Sequence, residues 1–337
     1  MTEEIAKRRC RRCKNTHPET LYSSEIDGLC VYCKADDAEA LPDPDKPEAS
    51  VAETEEASVE DKAKAELALR FLTRKRLLPF IERFNPDYAA GWVHKDICRR
   101  LEKFSNDVAE KKSPRLMLFM PPRHGKSTLA SIGYPAWHLG RHPDHEFIAC
   151  SYSGSLSMGF SRKVRQLLRE PTYKTAFKTR LDPDSQSAEA WLTTSGGGFV
   201  AAGVGGGITG KGAHVLVIDD PVKNREDAES QNNRDSNWDW YTSTAYTRLA
   251  PGGGVLVILT RWHDDDLAGR LLKAGGDGGD EWEVVSYPAI AEEDEEFRAT
   301  GDALHKERYE KPLALEIGQR CTSRTRLPTT VITLLET

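Results

Sequence analysis

Nowhere does the 337-residue chain approach the ~20 consecutive apolar residues of a membrane-crossing helix, so no membrane partner is expected. Its start, Met1-Thr2-Glu3-Glu4, lacks the apolar core of a secretory leader, and the expectation is a protein that stays in a reducing cytoplasm. Disulfides are not expected on the same ground, which leaves the seven cysteines as metal ligands or core residues. Excess positive charge is missing too: 47 basic residues face 53 acidic ones, a net charge of -6. For a nucleic-acid partner that balance looks wrong until the acid is located. The acidic excess falls between Ala35 and Lys62, so basic surfaces elsewhere remain available to phosphate. Internal repeats are absent as well.

What is present separates by composition into four regions. Residues 1–34 are cysteine-rich and basic. Residues 35–60 are acidic, rich in Ala and Pro and nearly free of aromatics; too polar to bury a core, they read as a flexible, disordered linker. Residues 61–310 carry the main domain, and 311–337 form a short tail. The domain opens with an apolar stripe, Leu67, Leu69, Phe71, Leu72, Leu77, Leu78 and Ile81, read as a helix that Asn85-Pro86 ends. A second helix is expected from about Trp92 to Phe104. Short apolar runs then alternate with helical stretches, the pattern of an α/β fold with a mainly parallel sheet flanked by helices. Strands are expected at 115–120, 146–151, 214–219, 254–260 and 282–287, with a hairpin over 191–204 turning at Ser195-Gly196-Gly197-Gly198.

The first strand runs into Met120-Pro121-Pro122-Arg123-His124-Gly125-Lys126-Ser127-Thr128, followed by an apolar helix from about Leu129. Strand, tight loop, Gly-Lys-Ser and helix stand in the order of a Walker A loop. Residues Pro122, Arg123, His124, Gly125, Lys126, Ser127 and Thr128 would then hold ATP. Backbone N–H groups and the helix N-terminus cradle phosphate, Lys126 reaches the β/γ oxygens and Ser127 coordinates Mg²⁺. Met120 stands where the first glycine of the motif belongs.

His214-Val215-Leu216-Val217-Ile218-Asp219-Asp220-Pro221 describes a buried strand delivering a carboxylate at its C-terminal edge, where open α/β sheets bind ligands. Asp219 is the expected Mg²⁺ ligand, as in Walker B. Asp220 would orient or deprotonate the attacking water, a task usually given to the longer Glu. A third strand ends at Thr260, beside the phosphate site and able to sense the γ-phosphate. Asp264-Asp265-Asp266 follow, and are read as caps of the next helix.

Cys10, Cys13, Cys30 and Cys33 form two Cys-x-x-Cys pairs with sixteen residues between them, a zinc-ribbon spacing that closes a tetrahedral Zn²⁺ site. His17 lies between the pairs and reads as a surface residue. Arg8, Arg9, Arg11, Arg12 and Lys14 flank the first pair, either a phosphate-binding patch or a solvated face. Cys98, Cys150 and Cys321 stand alone.

Taken in order, the loop motif at 121–127, Val217-Ile218-Asp219-Asp220-Pro221, and Leu259-Thr260-Arg261-Trp262-His263-Asp264-Asp265-Asp266-Leu267 resemble the large terminase subunit of tailed bacteriophages and prophages. Pro135-Ala136-Trp137 and the glycine-rich 205–212 add to the likeness, which spans about Phe84 to Tyr309. The resemblance implies a RecA-like P-loop ATPase working as a homo-oligomeric ring on the procapsid. It would drive double-stranded DNA inward together with the terminase small subunit and the portal protein. It also implies that Arg123 acts on the phosphates from within the same subunit, with Arg162 and Arg165 as candidates for the arginine a neighbour supplies. Full-length members carry an RNase H-like nuclease domain. None is recognisable after Tyr309, and from Cys321 the tail turns Thr/Arg-rich, so a truncated, frame-shifted or split subunit without nuclease activity of its own is expected. Two other readings stay open. A helicase-like ATPase would share the first two motifs, although few residues follow Thr260 to build its second lobe; a zinc-ribbon adaptor would keep the ATPase only as a relic.

Overall fold

The computed structural model describes residues 58–304 except Thr209, together with the backbone of two short strands near the start. The four cysteines at 10, 13, 30 and 33, most of the acidic stretch and the tail from 305 onward lie outside the described residues. Contacts divide the chain into two units, Met1–Ala57 and Ser58–Thr337. In the first, β1 (Lys7–Arg9) pairs antiparallel with β2 (Thr16–Pro18).

The second unit is built on an eight-stranded sheet. Its strands are β3 (Arg115–Phe119), β4 (Glu146–Ser151), β5 (Leu181–Gln186), β6 (Ala190–Thr193), β7 (Gly198–Gly203), β8 (Ala213–Asp219), β9 (Leu249–Leu259) and β10 (Glu283–Ser286), in the spatial order β10-β3-β9-β8-β4-β7-β6-β5. From β10 to β7 every pairing is parallel, whereas β6 and β5 add on antiparallel. The sequence of the central strands explains this arrangement. Leu116 and Leu118 of β3, Val215 and Val217 of β8, and Leu256 and Ile258 of β9 point to one face. Met117, Phe119, Leu216, Ile218, Val255 and Val257 point to the other. A strand apolar at both parities must be covered on both sides, and parallel neighbours joined by helices supply that cover.

One face is packed by α2 (Leu77–Phe84), α3 (Trp92–Ala109), α4 (Tyr134–Arg141) and α5 (Gly154–Arg169), which bury Phe80, Leu101, Phe104, Trp137 and Leu168 there. The opposite face receives Trp240 from α8 (Gln231–Trp240) and Leu267 and Leu271 from α9 (Leu267–Gly276). Each such side chain contributes about 1.5–3 kcal/mol on burial. Between these lie the short helices α6 (Pro171–Ala176) and α7 (Arg225–Glu229). Among the described residues no helix is long and apolar enough to cross a membrane.

The opening of the domain departs from the sequence expectation. Helix α1 (Val59–Lys75) begins within the stretch read as linker, capped by Ser58, whose hydroxyl accepts from the Asp61 N–H at 3.1 Å. The stripe from Leu67 to Ile81 is two helices, not one. Arg76 is extended at φ -129° and ψ 137°, and Glu102 holds the break by accepting from Arg76 Nε at 2.8 Å and Leu77 N–H at 2.6 Å. Leu67, Leu69 and Phe71 are consequently exposed rather than buried against the sheet.

Candidate active site

The loop after β3 is turned tightly by two left-handed residues, Arg123 at φ 64° and Gly125 at φ 84°. Gly125 adopts that conformation without steric cost, and a Cβ there would lie 3.1 Å from Tyr88 Oη and 3.4 Å from His94 Nε2. Arg123 carries a Cβ in the same region, a strain of about 1–3 kcal/mol that the surrounding bonds must hold. The chain then becomes helical at Lys126 and widens into a π-helical turn over Thr128–Gly133, where the Tyr134 N–H reaches back to Leu129 O. Pro135 accounts for the widening: it lacks an N–H and its ring crowds the carbonyl four residues earlier, that of Ser131. On this turn Ser131 donates its hydroxyl to Asp219 Oδ2 at 2.6 Å.

Because β9 lies between β3 and β8, three parallel strands end side by side and open toward the same edge. Lys126 follows the first, Thr260 the second, and Asp219 and Asp220 end the third. Lys126 is buried, and its Nζ donates to Asp220 Oδ1 at 2.8 Å and to Thr260 Oγ1 at 2.8 Å, with Asp220 Oδ2 at 2.7 Å. Thr260 donates its own hydroxyl to Met120 O at 3.2 Å and its N–H to Asp220 Oδ1 at 3.0 Å. Asp220 is left-handed at φ 46°, pinned by its N–H on Ile258 O at 2.8 Å and by Tyr152 N–H on its carbonyl at 3.1 Å. That backbone turn sends two consecutive carboxylates to different partners.

Asp219 is 2% exposed. Burial pushes its carboxyl well above the ordinary aspartate range, the neighbouring Asp220 adds to the rise, and Ser131, Lys126 and Ser127 pull it back. Its Oδ1 is buried with no hydrogen-bond partner. A desolvated carboxylate oxygen with nothing to bind, beside the Ser127 hydroxyl, is a donor set that fits a hard divalent cation. Among the described residues, no three His, Cys, Asp or Glu side chains converge to hold a metal, so Asp219 would share a cation with hydroxyl rather than further carboxylate ligands.

Residues 117–319 match the model of the family described as terminase large subunit, T4likevirus-type, N-terminal. The chain belongs to the terminase large subunit family. Its fold resembles the crystal structure of the HK97 bacteriophage large terminase at 15% identity and a TM-score of 0.41, over 66% of this chain and 45% of that one. The chain thus spans less than half the length of that solved relative. No curated protein matches it.

In this terminase the remaining candidate residues are spread over several settings. His124 is buried and bonds through Nδ1 to Pro122 O at 2.9 Å, while Pro122, Arg123 and Thr128 are exposed on the loop and its helix. Arg162 is exposed on α5, whereas Arg165 turns toward the carbonyls of Gln186 and Ser187 and is half-buried. Of the three acids after Thr260, Asp266 caps α9 by accepting from Gly269 N–H at 2.8 Å, and Asp265 pairs with Arg270 at 2.6 Å and Arg234 at 3.2 Å. Arg270, then Arg234, hold the Asp265 carboxyl down to about 2. Three neighbours of the site were not anticipated: Ser131, Tyr88 and His94. Ser131 lies four residues beyond Ser127, and that spacing on one helix face was the available signal.

Proposed function

We propose that this terminase binds ATP with Mg²⁺ on the loop 122–128 of a RecA-like P-loop domain and hydrolyses it to move double-stranded DNA into a preformed viral shell. The observation that supports this best is the convergence of Lys126, Asp220 and Thr260 within hydrogen-bonding distance, next to the buried Asp219. Incoming β/γ-phosphates compete with Asp220 for the Lys126 ammonium. As the ammonium turns to phosphate, the Asp220 carboxylate is released to hold and deprotonate a water. Thr260, bonded to both in the free site, registers whether the γ-phosphate is there. Asp219 and Ser127 would hold Mg²⁺, which neutralises charge on the β- and γ-oxygens when bound. Arg123, exposed beside the phosphates, adds positive charge from the same subunit.

On this reading the chain acts in the host cytoplasm as one member of a homo-oligomeric ring, with the terminase small subunit and the portal protein as partners. Zn²⁺ on Cys10, Cys13, Cys30 and Cys33 would order the first unit. The test is phosphate release from ATP by the purified chain with Mg²⁺. Lys126→Ala should abolish it, and unchanged turnover in that variant would end the proposal.

A further inference from the structure

The turn between α2 and α3 and the first turn of α3 fold back against the phosphate-binding loop, through the ring of Tyr88 and the imidazole of His94. Gly91, the residue before α3, donates its N–H to His94 Nδ1 at 3.0 Å. A backbone N–H only donates, so Nδ1 carries the lone pair and the ring proton sits on Nε2. That nitrogen lies 3.1 Å from the carbonyl oxygen of His124, the residue between the two left-handed positions of the loop, and therefore donates to it. His94 is 5% exposed and its ring meets Tyr88 edge-on at 5.4 Å between centroids, which fixes its plane. The same two rings form the wall against which Gly125 is packed.

From this geometry we infer that His94 is a positioning residue for the nucleotide site: its Nε2–H anchors the His124 carbonyl, holding the loop amides in the orientation that phosphate needs. The inference rests on the nucleotide reading for its purpose but not for its geometry. The need for such an anchor follows from the sequence. Met120 replaces the glycine that usually opens this loop, and Arg123 must adopt a conformation that residues with a Cβ resist. A carbonyl flanked by two left-handed residues flips easily in isolation. If it rotated toward the phosphates, its negative end would replace the N–H groups that bind them. One hydrogen bond from a buried ring opposes that flip, and its loss should weaken nucleotide binding by about tenfold.

The two hydrogen bonds of the ring can be separated by substitution. Gln in place of His94 can carry its amide N–H to the Nε2 position and keep the anchor. Asn can keep the acceptor near Nδ1 for Gly91 but is too short to reach His124. We expect His94→Ala and His94→Asn to exchange the backbone amides of residues 123–127 faster than wild type in the nucleotide-free protein, measured by hydrogen–deuterium exchange. Both should bind ATP about tenfold more weakly, with His94→Asn keeping the melting temperature of wild type and His94→Gln restoring slow exchange and affinity. Wild-type exchange in His94→Ala would overturn the inference, as would rescue by Asn but not by Gln. A wild-type chain that fails to bind ATP while the exchange follows this order would overturn the nucleotide reading and leave the anchor standing.

Discussion

Lys126 and Asp220 form a two-pronged ion pair, the lysine Nζ lying 2.8 Å from Oδ1 and 2.7 Å from Oδ2 of the carboxylate. The loop cation is thus neutralised by the residue assigned to activate water, and each is unavailable to substrate while the other holds it. Ligand binding must exchange one charge partner for another.

Replacing Asp220 by Asn should therefore separate binding from turnover. The variant keeps a hydrogen-bond acceptor for Thr260 but loses the charge that holds Lys126. Turnover should fall about a hundredfold or more, as for loss of a general base. ATP affinity should rise several-fold, because phosphate no longer displaces a carboxylate. Phosphate release and a nucleotide titration on the same protein measure both; weaker ATP binding would count against the exchange.

Asp219 gives a pH dependence. Its carboxyl is raised by burial and by Asp220. The fold favours the protonated form, so the stability this group contributes is present at low pH and is lost as pH rises through its folded value. A cation needs the ionised form. Mg²⁺-dependent ATP binding should accordingly strengthen between about pH 5 and about pH 8, and Asp219→Asn should bind weakly with no such trend. A pH-independent wild type would contradict the assignment.

Four histidines sit at the opposite edge of the sheet. His145 stacks on His214 with ring centroids 4.4 Å apart and accepts or donates at 3.0 Å with His138, which is wholly buried, while His142 stacks on His145 at 5.0 Å. Burial first, then the neighbouring rings and Arg141, lower His138; burial and then Arg141 lower His142; and His145 is lowered to about 4 by burial, His214 and His142. The fold favours neutral imidazoles here. Their contribution is fully present above the unfolded value near ~6.5 and is lost as pH falls toward about 4. Melting temperature should drop across that interval, and His145→Phe should flatten the drop; an unchanged slope would exclude the cluster as its source.

Much of the sheet was legible because β3, β4, β8 and β9 are apolar at both parities, and only burial on both faces tolerates that. Strand β5 was not, since Leu181-Asp182-Pro183-Asp184 is polar and holds a proline, acceptable there because the strand lies at the sheet's edge. Helix α8 reads Gln-Asn-Asn-Arg-Asp-Ser-Asn-Trp-Asp-Trp, without a stripe, and is held by Ser230 capping Asn233 and by the buried Arg234. The convergence of Lys126, Asp219, Asp220 and Thr260 was readable because each follows or ends a buried strand. Tyr88 and His94 were not, because their nearness to Gly125 depends on how the α2–α3 turn folds back over residues more than thirty positions later.

Metal analysis of the full chain, purified without chelator, should find about one zinc per chain, lost on replacing Cys10 and Cys13 with Ser. Such small metal modules fold on the metal. ATP turnover should survive the replacement, since all the residues assigned to it lie in the second unit; absence of zinc would remove the ribbon reading without touching the ATPase.

The position of β9 between β3 and β8 also has a mechanical side. Sliding the loop strand past the carboxylate strand would break two parallel ladders at once, Phe119 against Leu259 and Asp219 against Ile258 included. The sheet is therefore a stiff frame, and a conformational change at the site would have to travel by a softer route. The wide turn over Thr128–Gly133 is such a route: it is tied to Asp219 through Ser131 at one point and continues into α4. Rewinding that turn to regular helix would twist α4 about its own axis while the strands stay still, turning a change of charge at the loop into torque on the helical layer.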